Sequence, residues 1–223
     1  MKTIRHLLIP CVALALSACG VTKPDVQRKF VSRNETAVLF IGNSYSFGVP
    51  KAFAKQAANH GRKVHVEQVT HSGWSLSRHA ADEETLRKIR ERRWDVVVLQ
   101  EQSRIPSRPI RRRWAMVPAV RKLADEIRGQ GATPVLYQTW GRRDGDPKHP
   151  RDDFHAMTAR IREGYRLAAE KTGGLQVVPV GDAWEREVSA GRGGRLFQPD
   201  GSHPSRAGNE LSARVFYHDL LGR

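Results

Sequence analysis

The chain has 223 residues and only two cysteines, Cys11 and Cys19. That length is ample for one domain with its own core, and a disulfide-held scaffold is excluded because both cysteines fall at the extreme N-terminus. The formal net charge of +15 sets up a field that favours anionic partners.

Lys2 and Arg5 precede an apolar stretch from Leu7 to Leu16, too short to span a bilayer as a helix. Residues 1–18 therefore read as an export signal. The run Leu16-Ser17-Ala18-Cys19-Gly20 resembles the bacterial lipoprotein cleavage box, with Cys19 as the lipidated first mature residue. An ordinary secretory signal with small residues at its cleavage site is the alternative. Gly20 rather than Asp after the cysteine implies the periplasmic face of the outer membrane, so the expected location is the cell envelope. Export makes nucleic acid an unexpected partner for a basic chain. Residues 19–35 are polar without sustained periodicity and read as a tether, leaving 36–223 as one domain.

Within that domain, apolar runs of strand type alternate with helical patterns. Strands are expected over 37–41, 64–69, 95–99, 134–138 and 176–180, and helices over 49–60, 82–92, 111–128, 154–171 and 204–221. Such alternation predicts βαβ units and a parallel five-stranded sheet covered on both faces, an α/β/α sandwich with the flavodoxin-like order 2-1-3-4-5.

The polar residues that close these strands carry the chemistry. The first strand stops at Gly42-Asn43-Ser44-Tyr45-Ser46, which places Ser44 at the carboxyl edge of the sheet, near a helix N-terminus that favours developing negative charge. Asn43 and Ser44 would serve equally as turn formers or helix caps. The second strand leads into His71-Ser72-Gly73-Trp74-Ser75 and the third into Gln100-Glu101-Gln102-Ser103. The fourth is followed by the Gly-, Asp- and Pro-containing loop from Thr139 to Pro150, where Trp140 either stacks on a sugar ring or covers the core. Near the end, Asp200-Gly201-Ser202-His203-Pro204 puts an acid and an imidazole three positions apart ahead of a helix. Serine, histidine and aspartate are the parts of a nucleophilic triad: attacking oxygen, general base, and the group that orients the base. The nine histidines show no metal-ligand spacing, so neither a metal nor another cofactor is expected.

At these blocks the sequence resembles the SGNH hydrolases, the GDSL-type esterase superfamily, over roughly Ala37 to Leu221. Asn43 stands where many members have Asp. The resemblance implies the SGNH hydrolase fold, with Ser44, Asp200 and His203 as the catalytic triad. It also implies an oxyanion hole made by the backbone N–H groups of Ser44 and Gly73 and a third-block amide. The usual third block, Gly-x-Asn-Asp, is altered here. Counting from the strand end puts Gln102 at the Asn position, while likeness to the Gln-Gly-Glu block of carbohydrate acetylesterases leaves Gln100 as second choice. The expected activity is hydrolysis of small acyl esters, O-acetyl groups of envelope or extracellular carbohydrate in particular, with Trp74 and Trp140 as candidate substrate contacts. The triad also fits acyl transfer to a sugar, and the altered third block fits a non-catalytic envelope glycan-binding lipoprotein. Membrane contact through Cys19 and a monomeric state are expected. The run Arg104, Arg108, Arg111, Arg112 and Arg113 reads either as a site for anionic glycan or lipid headgroups or as a solvated basic face.

Overall fold

The computed structural model describes residues 35–222 of the chain. The export signal, Cys19 and all but the last residue of the tether lie outside the described residues.

The run Thr36–Gly42 forms β1, buried along its whole length, because its apolar residues have no polar face to offer solvent. It sits between β2 (Val64–Thr70) and β3 (Val96–Leu99), and β4 (Thr133–Tyr137) and β5 (Gln176–Val178) complete the sheet. Every neighbouring pair is parallel and the order is β2-β1-β3-β4-β5, the arrangement expected from the alternation of strand and helix patterns.

Alternation along β1 sends successive side chains to opposite faces. Val38 and Phe40 join Val49 and Phe53 of α1 (Val49–Asn59), Trp184 of α6 (Val180–Ser189) and Phe216 of α7 (Arg206–Leu220). Leu39 and Ile41 join Ile89 of α3 (Glu83–Arg90), Leu123 and Ile127 of α4 (Val117–Gly129), and Ile161 and Tyr165 of α5 (Phe154–Lys171). Two cores on one sheet make the three-layer α/β/α sandwich.

Two helices run against the sequence reading. Leu76–His79, here α2, is a single turn in the second block, capped by Ser75. The α6 helix was not expected, and the strand expected over 176–180 stops at Val178; the apolar spacing of α6, Val180, Ala183, Trp184 and Val188, is nonetheless helical. The lead into α4 is also unusual. Pro109–Arg111 is helical and Arg112–Met116 is a π-turn, closed by the Val117 N–H donating to the Arg112 carbonyl. Pro118 accounts for this widening: it has no N–H to give the Trp114 carbonyl, and its ring crowds that carbonyl.

Candidate active site

Ser44 opens a short 3₁₀ turn, Ser44–Ser46, directly after β1. Asn43 holds that turn: its Oδ1 accepts from the Tyr45 N–H at 3.2 Å, and its Nδ2 donates to the Trp74 carbonyl at 2.9 Å. One amide therefore ties the first block to the second. Aspartate, common at this position in the resembling family, would have no donor for the Trp74 carbonyl.

The Oγ of Ser44 lies 2.8 Å from the Nε2 of His203. On its other side the His203 Nδ1–H donates to Asp200 Oδ2, which leaves Nε2 as the acceptor for the serine hydroxyl. The second oxygen of Asp200 accepts from the backbone N–H groups of Ser202, at 2.9 Å, and His203, at 3.0 Å. That is the local reason for the three-residue spacing: the carboxylate folds the loop that carries its own partner. Partial burial works against the charge of Asp200, but these three hydrogen bonds outweigh it and hold the carboxyl at about 2. The structure thus brings Ser44, His203 and Asp200 into one hydrogen-bonded row.

The row rests on an aromatic stack. Tyr45 meets the edge of the His203 ring at 5.5 Å between centroids and shares a 2.5 Å hydrogen bond with the Ser202 hydroxyl. Its ring stacks on Trp140 at 5.0 Å, and Trp140 stacks on Trp184 at 3.6 Å. Trp140 is fully buried and gives its Nε1–H to the Ser202 carbonyl. It therefore cannot stack on a sugar: of the two roles open to it in the sequence, it covers the core. Trp74 is only half-buried, beside Gly73, with the Arg78 guanidinium 4.1 Å from its ring centre.

Three candidate donors have no partner among the described residues: the backbone N–H groups of Ser44 and Gly73, and the Nε2 of Gln102. Gly73 has φ +71, a backbone conformation that side chains disfavour, although a Cβ there would meet open space. Gln102 is steadied from behind, its carbonyl accepting from the Arg104 N–H at 3.0 Å.

Gln100, the second choice for the oxyanion donor, is engaged in holding the blocks together. Its carbonyl accepts from the Asn43 N–H at 2.8 Å and the Ser46 hydroxyl at 3.1 Å, and its amide donates to the Glu101 carbonyl at 2.6 Å. The side chain is 1% exposed, and the one N–H it has left is held inside the fold. It is a strut between the first and third blocks, packed so closely that a Cβ on Gly42 would fall 2.5 Å from its Oε1.

Two residues of the site went unrecognised in the sequence. Glu101 is completely buried. Its Oε1 accepts from the Leu76 N–H at 3.1 Å and the Gln102 N–H at 2.7 Å, joining the second block to the third, while Oε2 has no partner. Burial pushes this carboxyl up to about 7, against the pull of those two N–H groups. His79, also buried, gives its Nε2–H to the Gly42 carbonyl at 2.8 Å and sits 3.0 Å from the Thr85 hydroxyl. Burial lowers it to about 4 despite the bond to Gly42. Nothing in the local sequence pattern marks either residue, because each is defined by contacts across strands.

No family model and no curated protein sequence matches the chain. Solved structures do. A candidate SGNH hydrolase from Slackia heliotrinireducens is 28% identical, with a TM-score of 0.66 over 82% of this chain and 97% of its own. The fold is that of the SGNH hydrolases. A DUF4886-family protein from Bacteroides uniformis has a TM-score of 0.75 at 18% identity, over 85% of this chain and 84% of its own. An acetylxylan esterase from Geobacillus stearothermophilus has a TM-score of 0.61 at 18% identity, over 83% of this chain and 94% of its own. On the SGNH hydrolase fold seen here, Ser44 lies at the sheet's carboxyl edge, where open α/β sheets form their crevices. The row from Ser44 to Asp200 has, on this fold, the arrangement of a serine-hydrolase triad. The described residues form no cluster of three or more His, Cys, Asp or Glu that could hold a metal.

Proposed function

We propose that the protein is an exported serine esterase that removes small acyl groups, O-acetyl groups above all, from envelope or extracellular carbohydrate, anchored to the periplasmic face of the outer membrane through acylated Cys19. The observation that carries the chemistry is the unbroken row from Ser44 Oγ through His203 to Asp200, with 2.8 Å between Oγ and Nε2.

The steps follow from it. Ser44 Oγ attacks the acyl carbon while His203 Nε2 takes its proton, and Asp200 stabilises the imidazolium that forms. The tetrahedral oxyanion is met by the N–H groups of Ser44 and Gly73 and by Gln102 Nε2, donors already free and fixed before charge develops. His203 then returns its proton to the leaving sugar hydroxyl. Water, deprotonated by the same imidazole, cleaves the acyl-enzyme and releases the acid.

The fold shared with an acetylxylan esterase supports acetylated carbohydrate as the substrate class. The test is release of acetate from a panel of acetylated glycans, with Ser44→Ala as control. Acetate from at least one glycan, lost in the variant, is expected. Turnover of a simple ester without acetate from any glycan would remove the carbohydrate assignment, and acetate moved onto an added sugar would assign transfer. The anchor is tested separately: Cys19→Ala should move the protein from the membrane fraction to the soluble one.

A further inference from the structure

Large exposed apolar side chains are scarce in the described residues, and two of the three, Ile110 at 77% exposed and Trp114 at 74%, lie one helical turn apart. The third, Phe47 at 48%, follows the Ser44 turn. The segment around the pair is strongly basic. Between Glu101 and Asp125 the chain has seven Lys and Arg and no acid. Its arginines divide into two groups. Arg108 pairs with Asp146, and Arg112 is turned inward, 7% exposed, within 4.0 Å of Glu163. Arg104 is half-buried and acts on Asp146 electrostatically, whereas Arg111 and Arg113 are exposed with no acidic partner among the described residues and lie between the exposed pair in the chain. The five arginines of the sequence reading are thus not one cluster: three face acids of the fold and two are left to the surface.

We propose that Ile110 and Trp114, with Arg111 and Arg113, form an interfacial foot that seats the domain on an anionic lipid surface. An aliphatic and an indole side chain standing out from a helix, rather than lining a groove, suit the boundary between headgroups and acyl chains, where the indole keeps its N–H in contact with polar groups. The unpaired guanidinium groups match phosphate-bearing headgroups in charge and in hydrogen-bonding geometry. The placement also has a purpose. The foot follows β3 and Ser44 follows β1, and these adjacent parallel strands deliver both to the same carboxyl edge of the sheet. Seating on the foot therefore turns the edge that holds the triad toward the bilayer. The inference does not rest on the esterase reading.

The test uses the full chain, acylated or not, on vesicles whose acyl chains carry bromine, which quenches tryptophan that enters the acyl region. On vesicles containing phosphatidylglycerol, quenching is expected and should fall to what half-buried Trp74 contributes in Trp114→Phe, and disappear when Trp74→Phe is added, since Trp94, Trp140 and Trp184 are buried in the domain. In the Cys19→Ala chain, Arg111→Gln with Arg113→Gln should weaken vesicle binding roughly thirtyfold at low salt, from about 1 kcal/mol per charge near the surface, and by less as salt rises. Ile110→Ser with Trp114→Ser should weaken it by at least about tenfold while leaving turnover of a soluble ester unchanged, which separates loss of docking from loss of folding or chemistry. Quenching that is absent, equal on phosphatidylcholine alone, or unaltered in Trp114→Phe would overturn the proposal. So would a concentration-dependent dimer abolished by Ile110→Ser with Trp114→Ser, which would assign the patch to a second copy of the chain.

Discussion

Glu101→Gln exchanges a buried carboxyl for an amide of nearly the same shape. The amide oxygen can still accept from Leu76 and Gln102, so the link between the second and third blocks survives. What changes is the proton. Burial raises this carboxyl from 4.5 to about 7, so between those values the unfolded chain has released a proton that the folded chain still holds. Stability must then fall as pH rises through the window, and level off above it. The shift of about 2.5 units at 1.36 kcal/mol each corresponds to about 3 kcal/mol. The assay is urea unfolding of both proteins, followed by tryptophan fluorescence, below pH 4.5 and above pH 7. The stability of Glu101→Gln relative to the parent should rise by about 3 kcal/mol between the two ends. His79, lowered from 6.5 to about 4, works in the opposite sense: its stabilisation is lost as pH falls through its own window. It is present in both proteins and cancels in the difference. A relative stability that stays flat across the window would refute the reasoning, showing that Glu101 is ionised in the folded protein throughout.

Gln102→Ala should lower kcat by ~10²–10³ with KM nearly unchanged, as loss of one oxyanion donor does; steady-state kinetics on a small acetyl ester reads it. Gln100→Ala should instead destabilise the fold by about 1–3 kcal/mol, because it strands the buried N–H of Asn43; its effect belongs in the unfolding curve as much as in the rate. Ser44 should be the one residue labelled by a fluorophosphonate probe, and intact-mass analysis of Ser44→Ala should show no adduct. Trp140→Ala, a large-to-small change in a fully buried stack, should cost about 3–5 kcal/mol in urea unfolding, an outcome a substrate-stacking surface tryptophan would not produce.

The sheet was legible in the sequence for a simple reason. Strands buried on both faces are written as uninterrupted apolar runs, and each of the five runs is closed by polar or turn-forming residues that mark its carboxyl end. The triad residues were legible because Ser44 and the pair Asp200 and His203 follow such ends in a recognisable block. The two glutamines were not separable. They differ by two positions on one stretch, and what sets Gln100 apart is the backbone N–H of Asn43, just past the neighbouring strand, which donates to the Gln100 carbonyl. The two roles of Trp140 stayed open for a related cause: a loop tryptophan is not known as core until Tyr45 and Trp184, far away in the chain, close on it. Glu101 read as one more polar residue past a strand, since its environment is built by Leu76 and Tyr165 from two other elements.

The stacked pair of indoles has an optical consequence. Two such chromophores 3.6 Å apart, with ring planes within 3° of parallel, couple their electronic transitions, so absorption of light is shared between Trp140 and Trp184 and the pair has an optical signal that depends on the stack. Because Trp140 also holds the Ser202 carbonyl beside the catalytic histidine, that signal is fastened to the loop carrying Asp200 and His203. The protein thus has a built-in reporter of whether its catalytic loop is seated, readable without a label or a substrate.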